Sequence, residues 1–214
     1  MKNIKFLTLA LFATALLFAG CNDDDDDVKP SEVEPVNEVT SGSLAITVDH
    51  VFGENALVFG QDMLLPSFET VQMSRYSYIL SNFKLTAEDG STVNLDDQYA
   101  LIEAQKGENT FILTSVPTGT YTNFSFSLGL DSATNHGNPN VYDVEHPLSP
   151  IRNTLHWNWQ GGYIFTAIEG KTMADNESFV FHLAGAQNRL DFDLDLSLTK
   201  TDAEQSATIT YDVR

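Results

Sequence analysis

The stretch LDFDLDLSLTK, Leu190 to Lys200, alternates apolar and polar residues over most of its length. Successive side chains of a β-strand point to opposite faces of the sheet, so this alternation predicts a strand with one buried face and one solvated face. The same period of two recurs in three other runs: LAITVDHVF (Leu44 to Phe52), FSFSLGL (Phe124 to Leu130) and ATITYDV (Ala207 to Val213). These runs together predict an all-β fold.

Turn residues separate the predicted strands. They include the pairs Asp89-Gly90 and Gly161-Gly162, and Pro117-Thr118-Gly119. We find no helical stripe longer than two turns and no internal repeat. Residues 42–214 are enough to bury the core of one domain, and we predict that they form an antiparallel β-sandwich.

One long segment interrupts the rhythm of strands and turns. It spans residues 131–156 and has the sequence DSATNHGNPNVYDVEHPLSPIRNTLH, with three prolines and three of the five histidines. Structureless connections of this length are uncommon in compact domains, and they are usually functional or disordered. We therefore expect a long histidine-bearing loop beside the sandwich.

The first 20 residues have the pattern of a lipoprotein signal peptide. Two lysines precede an apolar run that is too short for a stable transmembrane helix. The following LLFAGC resembles a bacterial lipobox, so we expect lipidation at Cys21, which is the only cysteine in the chain. A lipid on Cys21 predicts a protein anchored to a membrane of the cell envelope, and we expect the outer membrane, with exposure at the cell surface left open.

Residues 21–41 are predicted to be an acidic, disordered tether. Five consecutive aspartates follow Asn22, and the segment has no aromatic residue, so it cannot bury enough apolar surface to offset its chain entropy. The acidic run after the cysteine also resembles the export signal of surface lipoproteins in Bacteroidetes. Removing residues 1–20 removes two of the 11 basic residues and none of the 30 acidic ones, which gives a formal charge of 9 − 30 = −21. Such a charge argues against a nucleic-acid partner.

The sequence offers little support for catalysis. It contains no G-x-S-x-G elbow, no H-E-x-x-H zinc helix, no phosphate-binding loop and no cysteine nucleophile other than Cys21. We therefore expect a binding protein rather than an enzyme.

Three histidines are candidate metal ligands. His50 lies on the apolar face of the first predicted strand, where a hydrogen-bonded core histidine is the alternative interpretation. His182 points away from its phenylalanine neighbours in FVFHLAG, and His136 lies in the long loop, while His146 and His156 are expected to be solvated or packed. Imidazole ligands without a thiolate, beside aromatic side chains, favour copper over zinc or calcium.

Several motifs resemble those of the copper-binding MbnP-like family in order and spacing. They are GLDSATN from Gly129, PLSP from Pro147, LHWNWQGGYIFTAIEGK from Leu155 and FVFHLAG from Phe179. The similarity spans most of residues 43–198, and W-x-W-x-x-G-Y is its most specific element. The resemblance implies a β-sandwich of the cell envelope that holds copper with histidines, beside an oxidised tryptophan, kynurenine, in some members.

Carried over position by position, the resemblance implies that His136 and His182 are copper ligands. It also implies that Trp157 is an oxidisable residue or a wall of the site, with Trp159 beside it. The sequence HLAGAQN, which begins at His182, departs from the family pattern, because the copper-binding branch often has a cysteine after this histidine. For both tryptophans, packing in the core is the alternative.

Two functional hypotheses therefore stand beside each other. The first is a lipid-anchored protein that sequesters or transfers copper. The second is a surface-exposed glycan- or protein-binding lipoprotein module, in which Trp157, Trp159 and Tyr163 form a stacking platform. A weaker third possibility is calcium in the long loop, although its acidic and amide residues lack EF-hand spacing.

Overall fold

The computed structural model describes residues 40–157 and 161–214. The predicted signal peptide, Cys21 and all but the last two residues of the predicted tether lie outside this part of the chain, and so does Trp159. In the described residues, no helix is long and apolar enough to cross a membrane.

The described chain consists mainly of β-strands. Their bounds are β1 Ser41–Phe52, β2 Asn55–Ala56, β3 Met63–Leu64, β4 Thr70–Ala87, β5 Thr92–Leu95, β6 Ala100–Glu103, β7 Thr110–Pro117, β8 Gly119–Leu128, β9 His156–Trp157, β10 Gly162–Thr172, β11 Ser178–Ala184, β12 Leu190–Lys200 and β13 Gln205–Asp212. Two four-residue helices, α1 (Ser132–Asn135) and α2 (Pro150–Asn153), lie in the long loop. Short 3₁₀ turns span Ala104–Lys106, Pro139–Val141 and Ala186–Asn188.

The strands form two sheets, which confirms the predicted β-sandwich. In the smaller sheet, β1 is central, with β13 along one edge and β7 and β2 along the other. The larger sheet has the order β11-β10-β4-β8-β12, and short strands extend it along β4 and β10. One ladder departs from the antiparallel expectation: β1 and β13 run parallel, from Leu44 opposite Gln205 to Val51 opposite Asp212.

Strand β4 connects the two halves of the larger sheet. Its first half pairs with β10, as far as Tyr78 opposite Thr166, and its second half pairs with β8 from Leu80 opposite Leu128. The register shifts between Ser81 and Lys84, next to Asn82, whose φ of 54° lies in the left-handed region. An irregularity of this kind lets one 18-residue strand pair with β10 along its first half and with β8 along its second half.

The core lies between the sheets, on the faces that the alternation predicted. On β1, Leu44, Ile46 and Val48 are buried, whereas Asp49 is exposed. On β12, the ring of Phe192 stacks on Phe126 at 5.2 Å, while the aspartates of the strand face outward. Full burial of one such aliphatic or phenylalanine side chain contributes about 1.5–3 kcal/mol, so the period-two pattern determines which face packs.

The long loop is tied to the larger sheet by polar contacts. Arg152 of α2 donates to the carboxylate of Glu103 at 2.6 Å, and Lys106 forms a second ion pair with Glu103 at 2.8 Å. Burial raises the pKa of Glu103, but hydrogen bonds from Lys106 and Arg152 outweigh this effect and leave the pKa below its usual value. The loop therefore packs as an ordered segment, and its Leu148 and Leu155 are fully buried.

Candidate metal site

The candidate site lies on the outer face of the larger sheet. His182 of β11 is opposite Ala167 of β10, which is opposite Ser77 of β4, so these three residues share one row and one face. Tyr76 and Tyr78 flank Ser77 and point to the other face, where their rings contact the smaller sheet. His182 thus lies on the side away from the core, as its alternation with its phenylalanine neighbours predicted.

A carboxylate holds the ring of His182. Its Nε2 atom lies 3.0 Å from Glu169 Oε1, and Arg75 Nη1 donates to the same oxygen at 2.9 Å. The hydrogen bond from His182, followed by that from Arg75, lowers the pKa of Glu169, so this group is an ionised acceptor at neutral pH. Because a carboxylate only accepts, Nε2 donates, and the lone pair of the neutral ring is on Nδ1.

His136 has the complementary arrangement at the end of α1. The helix begins at its N-cap Asp131, whose side chain accepts from the backbone N–H of Ala133 at 2.8 Å and of Thr134 at 3.0 Å. His136 then follows as the C-cap residue, and its Nδ1 atom lies 2.8 Å from the carbonyl oxygen of Ser132. A carbonyl accepts, so Nδ1 carries the proton and the lone pair of the neutral ring is on Nε2.

Trp157 is a neighbour of each histidine through a separate contact. Its ring centroid is 6.2 Å from that of His182, and Trp157 and His136 line one cavity of about 230 Å³ with Asn135, Gly162 and Gly185 among the other walls. The cavity defined by these residues is named the Trp157 cavity below. The structure therefore places Trp157 in ring contact with His182 and on the wall of the cavity that His136 lines.

The predicted Gly161-Gly162 turn shapes this cavity. Trp157 of β9 is opposite Gly162 of β10, and Asn135 Oδ1 accepts from the backbone N–H of Tyr163 at 2.8 Å. A Cβ atom at residue 162 would lie 2.9 Å from Asn135 Nδ2, so a larger residue here would displace the amide group that accepts from Tyr163 N. This contact holds the helix that carries His136 against the strand pair that carries Trp157.

The structure separates His50 from this site. Its ring lies between the sheets, with centroids 5.5 Å from Tyr76, 5.8 Å from Tyr78 and 6.2 Å from Tyr211. The ring nitrogen Nε2 is 2.8 Å from the hydroxyl oxygen of Tyr78. His50 is thus the hydrogen-bonded core histidine of the alternative interpretation, and the geometry gives it no part in a site with His136 and His182, because it lies on the opposite face of β4.

His146, His156 and Tyr163, which the sequence analysis also considered, all pack against other residues. His146 stacks on Tyr142 at 4.3 Å and its Nδ1 accepts from Leu148 N, while the ring of His156 packs edge-on against Tyr163 at 4.7 Å. Tyr163 is fully buried and donates its hydroxyl to Leu148 O, so the expectation that it belongs to an exposed stacking platform is wrong.

The calcium possibility is likewise not supported by the loop geometry. Asp131 caps α1, and the side-chain oxygen of Asn135 is used by Tyr163 N. Across residues 40–157 and 161–214, no three or more histidine, cysteine or acidic side chains come close enough together to hold a metal ion. A metal near Trp157 would therefore depend on His136 and His182 for any histidine, cysteine or carboxylate ligand.

Sequence reasoning missed the residues that orient His182. Glu169 follows the mainly apolar run from Tyr163 to Ile168 of β10, and Arg75 is in the first half of β4. A hydrogen bond of 3.2 Å also joins Arg75 Nη2 to Thr154 of the loop. An ionisable residue directly after a mainly apolar strand run was the available signal. Its partner could not be predicted, because the register of β10 shifts on both sides of this point.

Fold and site together define a β-sandwich with a histidine-bearing loop packed on one outer face. Comparison with known families places the chain within this class: the family described as MbnP matches residues 41–214, and the chain belongs to the MbnP family. The solved structure of MbnP from Methylosinus trichosporium is similar in fold, with a TM-score of 0.52 and 18% identity over 77% of this chain and 74% of that one. No curated protein matches the chain.

Proposed function

We propose that this protein binds a copper ion through His136 and His182 beside Trp157. The observation that carries the proposal is the complementary hydrogen bonding of the two rings. A backbone carbonyl fixes one nitrogen of His136 and an ionised carboxylate fixes one nitrogen of His182, which leaves the second nitrogen of each neutral ring as a ligand. Membership of the MbnP family supports the same interpretation.

The donor set fits copper better than its competitors. Structural zinc takes four protein ligands and catalytic zinc takes three, whereas no group of three or more histidine, cysteine or acidic side chains is found among residues 40–157 and 161–214. Calcium requires six to eight oxygen ligands, and the carboxylate of Glu169 is already shared by Arg75 and His182. Imidazole nitrogens suit copper, and when bound the ion would supply a centre capable of one-electron redox chemistry.

The residues of the chain have separate tasks in this proposal. His136 and His182 bind the ion, and Glu169 holds the ring of His182 while Arg75 keeps the carboxylate in place. Trp157 excludes water on one side of the site. The proposed role is sequestration or transfer of copper in the cell envelope, without catalysis, by a protein held to the outer membrane through a lipid on Cys21.

Copper titration of purified variants tests the binding site. His136→Ala and His182→Ala should each lower copper affinity by a much larger factor than His146→Ala, because His146 is occupied by Tyr142 and Leu148 N. Acid should weaken binding in the wild type, since protons compete for the imidazole lone pairs. Equal affinity in the wild type and in the His136→Ala, His182→Ala double variant would refute the copper site.

Membrane fractionation tests the anchor independently. Cys21→Ser should move the protein into the soluble fraction of the envelope without changing its fold, because Cys21 precedes the folded residues by the length of the tether. Continued partitioning of this variant with membranes would rule out the lipid as the anchor.

A further inference from the structure

A second cavity lies at an interruption in the edge of β1. On this edge β7 remains paired up to Thr47 opposite Thr110, with one more bond from Val48 N to Asn109 O. Pairing resumes with Leu57 N donating to His50 O and with Val51 opposite Ala56 of β2. Between these two partners the edge opens into a cavity of about 410 Å³, here named the His50 cavity. Its lining includes His50 and Asn109.

Two buried polar atoms of these lining residues have no partner. Among residues 40–157 and 161–214, the buried side-chain nitrogen and oxygen atoms without a hydrogen-bond partner are His50 Nδ1 and Asn109 Oδ1. Leaving a buried donor or acceptor unpaired costs about 1–3 kcal/mol, so two such atoms on one cavity point to a ligand that satisfies both. His50 itself is only 8% exposed, so its ring is a buried part of the cavity wall.

The hydrogen-bond directions define what this ligand must offer. Burial raises the pKa of Tyr78, so its hydroxyl keeps its proton. This buried proton needs an acceptor, and we assign His50 Nε2, 2.8 Å away, as that acceptor. Burial also lowers the pKa of His50, so the ring is neutral at pH 7 and carries its one proton on Nδ1. The cavity therefore presents an N–H donor from His50 beside a C=O acceptor from Asn109.

We propose that the His50 cavity binds an amide group of a short peptide, whose C=O accepts from His50 Nδ1–H and whose N–H donates to Asn109 Oδ1. Leu57, Phe59 and Ala104 provide apolar walls for the flanking side chains. Asp49 is exposed and also lines the cavity, so its carboxylate disfavours anionic ligands such as carboxylates and phosphates. The His50 cavity and the Trp157 cavity have no lining residue in common, and this proposal does not depend on copper.

Nuclear magnetic resonance on the metal-free protein tests the proposal. The probe is N-acetyl-alanine N-methylamide, a neutral molecule with two peptide groups. Saturable shifts are expected at the His50 imidazole ¹⁵N resonances and at the backbone amides of Leu57 and Asn109. Glycerol and acetate serve as hydroxyl and anionic comparison probes, and neither should produce the same saturable shifts.

Variants locate the contact. Asn109→Ala should weaken binding of the probe about fivefold, the effect of losing one hydrogen bond between neutral groups. Ala56→Leu, at an exposed wall position, should weaken it by filling the cavity. Asn140→Ala, at an exposed position on the long loop, should leave it unchanged.

Several outcomes would overturn the amide site. The proposal is wrong if the probe causes no saturable shift at His50, or if glycerol or acetate causes equal shifts. It is also wrong if Asn109→Ala and Ala56→Leu both leave the affinity for the probe unchanged. A result without any shift at His50 would mean that water alone satisfies the two buried atoms.

Discussion

His182 and His50 are both strand histidines with one ring nitrogen in a hydrogen bond, yet their surroundings differ in every other respect. His182 lies on the outer face of the larger sheet and bonds to an ionised carboxylate, Glu169. His50 lies between the sheets, surrounded by three tyrosine rings, and bonds to a neutral phenol. In the proposed site, His182 is therefore distinguished from His50 by the charge of its partner and by its partly exposed position, and residue type and strand position alone do not separate the two.

The comparison also separates stability from binding. The ring of Tyr78 is almost fully buried and contacts His50, Tyr76 and Tyr211, so it joins the two sheets. The polar contacts around His182 are partly exposed, and water can replace them. Changes in the tyrosine cluster should therefore alter unfolding, whereas changes around Glu169 should alter metal affinity.

The largest effect is expected for Tyr78→Ala. Removing a buried aromatic ring leaves a cavity and an unsatisfied His50 nitrogen, which should lower the free energy of unfolding by roughly 3–5 kcal/mol. Urea denaturation measures this loss, and Tyr78→Phe should recover most of it because only the hydroxyl is then missing. A loss in Tyr78→Ala no larger than that of an exposed substitution would show that the cluster does not join the sheets.

Glu169→Gln should mainly change copper affinity. A neutral amide orients the His182 ring less strongly and makes it a weaker ligand, so affinity should fall about 10–100-fold. Competition with a copper chelator measures the change. Glu177→Gln removes an equivalent charge from an exposed position just before β11 and is the matched control. If both variants bind copper as the wild type does, Glu169 has no role in positioning the ligand.

The two histidine environments should also differ in their response to pH. Burial lowers the pKa of His50 from 6.5 in the fold, so below pH 6.5 the unfolded chain binds more protons than the folded one. The free energy of unfolding should therefore decrease as the pH falls from 6.5 towards the folded pKa of His50. Burial lowers the pKa of His146 as well, and its contribution has the same sign.

Denaturation of His50→Gln and His146→Gln over this pH range separates the two contributions. Each variant should lose part of the pH dependence of the free energy of unfolding. At pH values above the titration range of the carboxylates, the double variant should lose most of it. An unchanged slope in the double variant would mean that other groups produce the effect.

The smallest effect on stability is expected for His182→Ala. Glu169 keeps its ion pair with Arg75, and the contacts are partly exposed, so the free energy of unfolding should change by less than about 1 kcal/mol. Thermal melts without metal check this value. A loss comparable to that of Tyr78→Ala would remove the contrast between the two histidines.

Much of the fold could be predicted because it depends on local alternation. The strands β1, β8, β12 and β13 lie where period two placed them, and the Gly161-Gly162 pair forms the predicted turn. The parallel pairing of β1 with β13 was missed, because these strands are far apart in sequence and no local pattern selects the direction of pairing. The change of partner along β4 was missed for the same reason.

The candidate site could be predicted only in part. The outward side of His182 follows from alternation alone, and the position of Trp157 follows from the turn beside it. The contact of His182 with Glu169 depends on strand register, and register bulges in β10 make residue counting unreliable. His50 was included as a ligand because residue type was considered without its tyrosine partners, which come from strands distant in sequence.

The parallel pairing of the first and last strands has a mechanical consequence. Residue 40 precedes one end of β1, and residue 214 follows the opposite end of β13, with eight residue pairs in register between them. A force that pulls these two residues apart acts along the strands, so it shears all the hydrogen bonds of the ladder together instead of opening them one after another. The ladder therefore resists extension along the strand direction better than it would resist peeling from one end.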